Sequence, residues 1–277
     1  MLEATANVDY PSPGADGTPG TPSEQRFGIR RRANDMALLF LASANSDPER
    51  RSVVDICYGR TLRVGTLYSG ADLIMKLLTA FVNQLSQLVR GLNFRIEHVF
   101  SADDCPVARK FMLKSTEGSM ANVFGCVSTL SAAEAWCYRC GRYVPVRYCD
   151  LVVAGTVCGG FSALNNSRAS NRNCLVTGDH LGGKTWQYLI LFLRAHRPAF
   201  LVLENTREFL NENQMGESAI HTARSDLSCE GYGMIHFLMN AQEYGDAQHR
   251  VRMYLLAARG GFTDQQLARV AIIKQAT

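Results

Sequence analysis

Residues 150–162 read Asp-Leu-Val-Val-Ala-Gly-Thr-Val-Cys-Gly-Gly-Phe-Ser, an apolar run that stops at Gly155 and delivers Cys158 into a glycine-rich turn. A thiol exposed in such a turn can act as a nucleophile, because neighbouring backbone N–H groups stabilise its thiolate. The competing reading is a small buried apolar residue, the common state of a free cysteine. Residues 198–210 hold a second apolar run of strand length, with Glu204 and Asn205 at its end. A carboxylate at the tip of a buried strand is costly unless a site uses it, and desolvation favours its protonated form. Further on, Gln248, Arg250 and Arg252 alternate and therefore share one face of an extended chain. Three planar hydrogen-bonding side chains on one face suit a nucleobase or a phosphate.

These side chains need strands to carry them and a sheet edge to gather them. Residues 62–68 read as a strand, and residues 73–92 as an amphipathic helix with Ile74, Leu77, Leu78, Phe81, Leu85, Leu88, Val89 and Leu92 at helical spacing. Residues 94–102 form the next strand, and a helix over 184–196 feeds a strand over 199–203. Alternation of this kind predicts a mostly parallel α/β sheet with helices on both faces. Such sheets do their chemistry at the carboxyl ends of the strands. Residues 36–44 read as an apolar helix closed by Asn45 and Ser46. Residues 11–23, rich in Pro, Gly, Thr and Ser, are expected to be disordered, and Arg26 with Arg30, Arg31 and Arg32 reads as a solvated basic patch. The expected organisation is a tail over residues 1–34 and one domain over 35–277, without internal repeats.

The chain resembles the C5-cytosine methyltransferases. That family carries a Pro-Pro-Cys-Gln-x-Phe-Ser nucleophile loop, a Glu-Asn-Val strand end and a Gln-x-Arg-x-Arg segment in this order. The counterparts here are Val157-Cys158-Gly159-Gly160-Phe161-Ser162, Glu204-Asn205-Thr206 and Gln248-x-Arg250-x-Arg252. Residues 64–73, Val-Gly-Thr-Leu-Tyr-Ser-Gly-Ala-Asp-Leu, look like the family's first cofactor motif, and Asp103 falls at the acid that ends its second strand.

The resemblance implies a Rossmann-like fold with a seven-stranded, mostly parallel sheet that binds S-adenosyl-L-methionine. It implies that Cys158 adds to the cytosine ring, Glu204 acts at N3, and Arg252 contacts O2. Arg250 and Gln248 would order the site, and Asn205, Phe161 and Ser162 would line the substrate pocket. Tyr68, Gly70, Asp103 and Cys126 would hold the cofactor. DNA is the implied substrate, with RNA as the alternative. Five departures stand beside the matches: Asp72 for a glycine, Cys126 for an aspartate, Thr156-Val157 for Pro-Pro, Gly159 for glutamine and Thr206 for valine. They keep open a second reading, a non-catalytic relative acting as a binding module. Residues 260–277 are too few for the family's target-recognition region and last motif. A second chain supplying recognition is therefore a candidate partner, and the helix over residues 36–44 is expected to fill the place beside the first strand.

Composition sets the remaining bounds. A chain of 277 residues that is 47% hydrophobic and 19% charged has enough apolar material for one large core. No apolar run approaches the roughly 18 residues of a membrane span. Nine cysteines without regular spacing fit a reducing compartment, and the N-terminal sequence lacks the features of a secretory signal, so nucleus or cytosol is expected. The net charge of +4 tolerates nucleic acid without demanding it. Cys137-x-x-Cys140, with no paired second knuckle, reads as a loop with incidental cysteines ahead of a zinc site.

Overall fold

In the computed structural model of the chain, the described residues are 33, 35–38, 41, 57–70, 72–115, 121–158, 174–177, 180–212, 218–244 and 248–263. Strand β1 (Thr61–Leu67) pairs in parallel with β2 (Arg95–Ala102), and β2 with β3 (Asn122–Phe124). On its other side β1 pairs in parallel with β6 (Leu151–Ala154), and β6 with β7 (Phe200–Thr206). Strand β9 (Val251–Arg259) lies antiparallel between β7 and β8 (Tyr232–Asn240), giving a seven-stranded sheet in the order β3-β2-β1-β6-β7-β9-β8. The carboxyl halves of β1 and β2 are buried at every residue, as parallel strands covered on both faces must be.

Helices α1 (Leu73–Leu88) and α2 (Pro106–Ser115) connect β1 to β2 and β2 to β3. The short α3 (Cys174–Thr177) and the longer α4 (Leu181–His196) lie between β6 and β7, and α5 (Ala219–Cys229) between β7 and β8. The chain thus winds outward from β1 in both directions. Right-handed crossovers in opposite directions put α1 and α4 on opposite faces. The apolar contacts divide the same way. Trp186, Leu189, Phe192 and Leu193 of α4 join the main core under the sheet, whereas Leu85 of α1 belongs to a separate small cluster with Leu92. In the main core, Phe100 packs edge-on between Phe124 and Phe192 at 5.9 and 5.8 Å.

Three expectations need correction. Helix α1 ends at Leu88 instead of running to residue 92, because Val89 is extended and Gly91 adopts φ +79°, which drops Leu92 into the small cluster. Its buried face is Met75, Val82 and Leu85, while Ile74 and Leu88 are exposed. The loop read at Cys137-x-x-Cys140 is narrower than expected, a turn over residues 138–141 between two strands. β4 (Glu134–Cys137) and β5 (Arg142–Pro145) form an antiparallel hairpin, with Ala135, Cys137 and Val144 inward and Glu134, Trp136 and Tyr143 outward. Finally, residues 35–38 and 41 are helical, but Leu41 packs against the Leu85–Leu92 cluster at the far end of α1. Those residues lie toward the amino edge of the sheet. Ala33, within the stretch read as a tail, is helical and fully buried.

Candidate active site

Every described residue with an expected role lies at one edge of the sheet. β1, β2, β3, β6 and β7 end there, and β9, running the other way, begins there. Tyr68 and Gly70 follow β1, Asp103 follows β2, Cys126 follows β3 and Cys158 follows β6. Glu204 sits near the end of β7, and Arg250 and Arg252 flank the first residue of β9. The edge is the switch point at which the chain reverses its winding, where open α/β sheets bind ligands. Phe161 and Ser162 lie outside the described residues.

Glu204 is not the dry carboxyl that the apolar run suggests. Its side chain is 36% exposed, and Oε1 lies 3.0 Å from Arg252 Nε and 3.9 Å from Arg250 Nη2. The alternation expected for the arginines therefore holds: both reach the same carboxylate. Gln248 is exposed beside them.

Asn205 also departs from its expected place. Residue parity on β7 puts it with buried Leu201 and Leu203, and it is 1% exposed, so it cannot line a substrate pocket. Instead Nδ2 donates to Thr156 Oγ1 at 3.0 Å and to the Thr156 carbonyl at 3.5 Å, while Oδ1 accepts the Thr206 N–H at 2.8 Å. Thr185 of α4 holds the next residue, accepting the Val157 N–H through Oγ1 at 3.3 Å while donating to the Gly182 carbonyl. The Thr185 carbonyl accepts from Tyr68 Oη at 3.0 Å. The approach to Cys158 is therefore tied by hydrogen bonds to β7, α4 and β1, where the family pattern has the fixed φ angles of two prolines. Sequence reading missed Thr185; nothing in its local pattern marks it. Thr156 was read only as a lost proline.

The second half of the edge is built from two loops. Asp103 Oδ2 accepts the Gly70 N–H and Oδ1 accepts the Cys105 N–H, each at 2.9 Å. Each oxygen retains a lone pair for a further donor. Gly70 has φ +56°, and a Cβ there would meet nothing within 4 Å, so the space above the turn is open. Tyr68, unusually for a residue with a side chain, also has positive φ, at +54°. Burial, with smaller contributions from nearby Cys126, Tyr188, Asp104 and Asp103, pushes its phenol up. Cys126 Sγ accepts from Ser128 Oγ at 3.0 Å, at the start of a 3₁₀ turn over Val127–Ser131. Arg109 Nη1 donates to the carbonyls of Asp103 and Asp104, fixing the loop from behind.

Asp72 does not add charge to this cradle. With φ +55° its carboxylate turns into the sheet, 1% exposed, where Oδ2 accepts from Ser101 Oγ at 2.5 Å and lies 3.3 Å from His98 Nε2. Burial outweighs the pull of Asp72 and holds the His98 imidazole below its usual range. No group of three or more His, Cys, Asp or Glu suited to a metal occurs among the described residues.

The sheet order and the ligand edge define a Rossmann-like methyltransferase fold. The family model for C-5 cytosine-specific DNA methylase matches residues 142–275. Over 230 residues the chain is 24% identical to the DNA (cytosine-5-)-methyltransferase DMT5 of Cryptococcus neoformans var. grubii, covering 81% of this chain and 9% of that protein. It is 28% identical over 169 residues to DNA (cytosine-5)-methyltransferase 1B of Oryza sativa subsp. japonica, covering 58% of this chain and 10% of that one. The crystal structure of the S. pombe Dnmt2 methyltransferase aligns at a TM-score of 0.45 and 16% identity, over 74% of this chain and 52% of that chain. Over its carboxyl-terminal part the chain is thus similar to C5-cytosine-specific DNA methylases, and it spans about a tenth of the length of the Cryptococcus and rice relatives.

Proposed function

We propose that this chain is the catalytic domain of a C5-cytosine methyltransferase that acts on DNA and takes its methyl group from S-adenosyl-L-methionine. The observation that carries this reading is the gathering of Cys158, Glu204 and Arg252 on the sheet edge that also bears Gly70 and Asp103. When bound, S-adenosyl-L-methionine supplies an electrophilic methyl group. The residues fit it: Asp103 has lone pairs that would accept the ribose hydroxyls, Gly70 leaves room above the turn, and Cys126 follows β3 at the same edge.

Cytosine C6 reacts only with a good nucleophile, which the thiolate of Cys158 supplies. The new S–C6 bond pushes an electron pair into the ring. Glu204 holds a proton at N3, and Arg252 hydrogen-bonds O2, so the charge that develops is neutralised where it appears. C5 then becomes the nucleophile toward the methyl group. Its attack releases the methyl donor's neutral thioether, and loss of the C5 proton to a water molecule then expels the Cys158 thiolate and restores the ring. A cytosine inside a duplex must leave the stack to reach the thiol. A protein with this activity works where DNA is, in the nucleus or the cytosol.

The test is transfer of labelled methyl groups to cytosine-containing DNA and to RNA of the same sequence. Label on DNA that disappears in Cys158→Ser supports the reading. Label on RNA alone would move the substrate, and no label on either polymer would favour a binding module.

A further inference from the structure

We propose that Cys137 and Cys140 form a reversible dithiol–disulfide site, open to a low-molecular-weight disulfide such as glutathione disulfide. Neither residue belongs to the reaction centre. They occupy the turn of the β4–β5 hairpin, with Cys137 fully buried and Cys140 exposed. The two thiols converge on one acceptor, Asn122 Oδ1, at 3.7 Å for Cys137 and 3.9 Å for Cys140. The Cys140 N–H points at Cys137 Sγ from 3.4 Å, and the Gly141 N–H, at φ +62°, closes the turn on the Cys137 carbonyl.

This arrangement prepares one thiolate and one accessible thiol. Burial by itself would raise the Cys137 thiol, but backbone hydrogen bonds from Val123, Cys140 and Arg139 and the Cys140 thiol outweigh it, so it is held below its usual range. Such N–H donors stabilise a thiolate for metal binding or for exchange. The cysteine and histidine inventory decides between the two. All nine cysteines and all six histidines lie among the described residues, and no third His, Cys, Asp or Glu among those residues joins this pair in a metal-binding cluster. A dithiol without further ligands has disulfide chemistry as its natural outlet.

The steps balance. The neighbouring Cys137 sulfur, and to a lesser degree burial, push the Cys140 thiol up, so Cys140, which the oxidant can reach, first loses its proton and then attacks one sulfur of glutathione disulfide, forming a mixed disulfide and expelling one glutathione thiolate. The Cys137 thiolate then attacks Cys140 Sγ, forming the Cys137–Cys140 bond and expelling the second. Glutathione disulfide gains the two electrons that the protein thiols lose, and their two protons end on the glutathione thiolates. The site adjoins the cofactor loops. Tyr138, between the two cysteines, lies against Gly125 and under the Arg109 guanidinium at 4.5 Å, and the same arginine holds Asp103.

The test uses the full chain equilibrated with glutathione mixtures of increasing disulfide content, alkylated and mapped by mass spectrometry. Zinc content is measured on the same preparation. The expected result is a peptide crosslink between Cys137 and Cys140, with loss of two alkylatable thiols, reversed by dithiothreitol and absent in Cys140→Ser. Exposed Cys105 and Cys229 take up glutathione without that crosslink, which shows that the oxidant reached the protein. Two free or separately glutathionylated thiols at the highest disulfide content would overturn the proposal, and so would stoichiometric zinc released by blocking the pair.

Discussion

At the residue scale the candidate site depends on groups buried behind it. Asn205 fills both ends of its amide inside the protein, and Thr156 presents to it a hydroxyl where the family pattern has proline. Removing the amide leaves buried polar partners unpaired, a cost of about 1–3 kcal/mol. Asn205→Ala is therefore expected to lose that much unfolding free energy in denaturant melts. It should also alter the alkylation rate of Cys158 with the fold intact. The residues proposed to do the chemistry stand out because three types occur in a fixed order, Cys158, Glu204 and Arg252. The parity that buries Asn205 was legible too, since it alternates with Glu204 behind Leu201 and Leu203. The contacts of Thr185 were not, because they depend on how α4 lies against the nucleophile loop.

At the element scale, close approach and charge pairing fix how β1 meets its neighbours. A Cβ on Gly65 would lie 2.3 Å from the Phe100 ring, which is wedged between Phe124 and Phe192 and has nowhere to go. Gly65→Ala is expected to destabilise by about 1–3 kcal/mol through overpacking, read as a lowered denaturant midpoint with an unchanged slope. At the opposite edge, Arg63 grips Asp150 with Nε, Nη2 and its own N–H, each at 3.0 Å, tying β1 to the start of β6. Burial alone would raise the Asp150 carboxyl, but the Arg63 bonds and charge hold it below its ordinary value. A depressed carboxylate contributes stability above its unfolded pKa of about 3.9 and loses it as pH falls through the folded value. Asp150→Asn is thus expected to cost about 1 kcal/mol at neutral pH, after allowing for solvent screening, with the gap to the parent closing below about pH 4. Melts at the two pH values check this.

Strand positions were legible from apolar runs, and β1, β2 and β7 stand where expected to within a few residues. The end of α1 was not, since Val89 and Leu92 continue the apolar spacing while Gly91 breaks the backbone. The hairpin escaped because strands of four residues give too few alternations to stand out.

The whole molecule explains why motifs spread over nearly the full described chain meet. Winding outward from β1 in both directions places the ends of five parallel strands together, and reversal of β9 brings Arg252 to the same edge from the far side of the sheet. Local periodicity carries no information about that order. It is set by packing helices on both faces and pairing β9 between β7 and β8. The result is one edge with two halves, the loops of Gly70 and Asp103 and the proposed reaction centre at Cys158, Glu204 and Arg252. No helix among the described residues is long and apolar enough to cross a membrane.

The central claim is that Cys158 forms a bond to cytosine in the company of the cofactor. DNA carrying 5-fluorocytosine tests it directly, because fluorine at C5 blocks the proton loss that would release the thiol. With S-adenosyl-L-methionine present, the account predicts a denaturation-resistant complex whose crosslinked peptide contains Cys158, and no complex with Cys158→Ser. A chain that binds this DNA and the cofactor yet forms no such complex, or one attached at another cysteine, would contradict it.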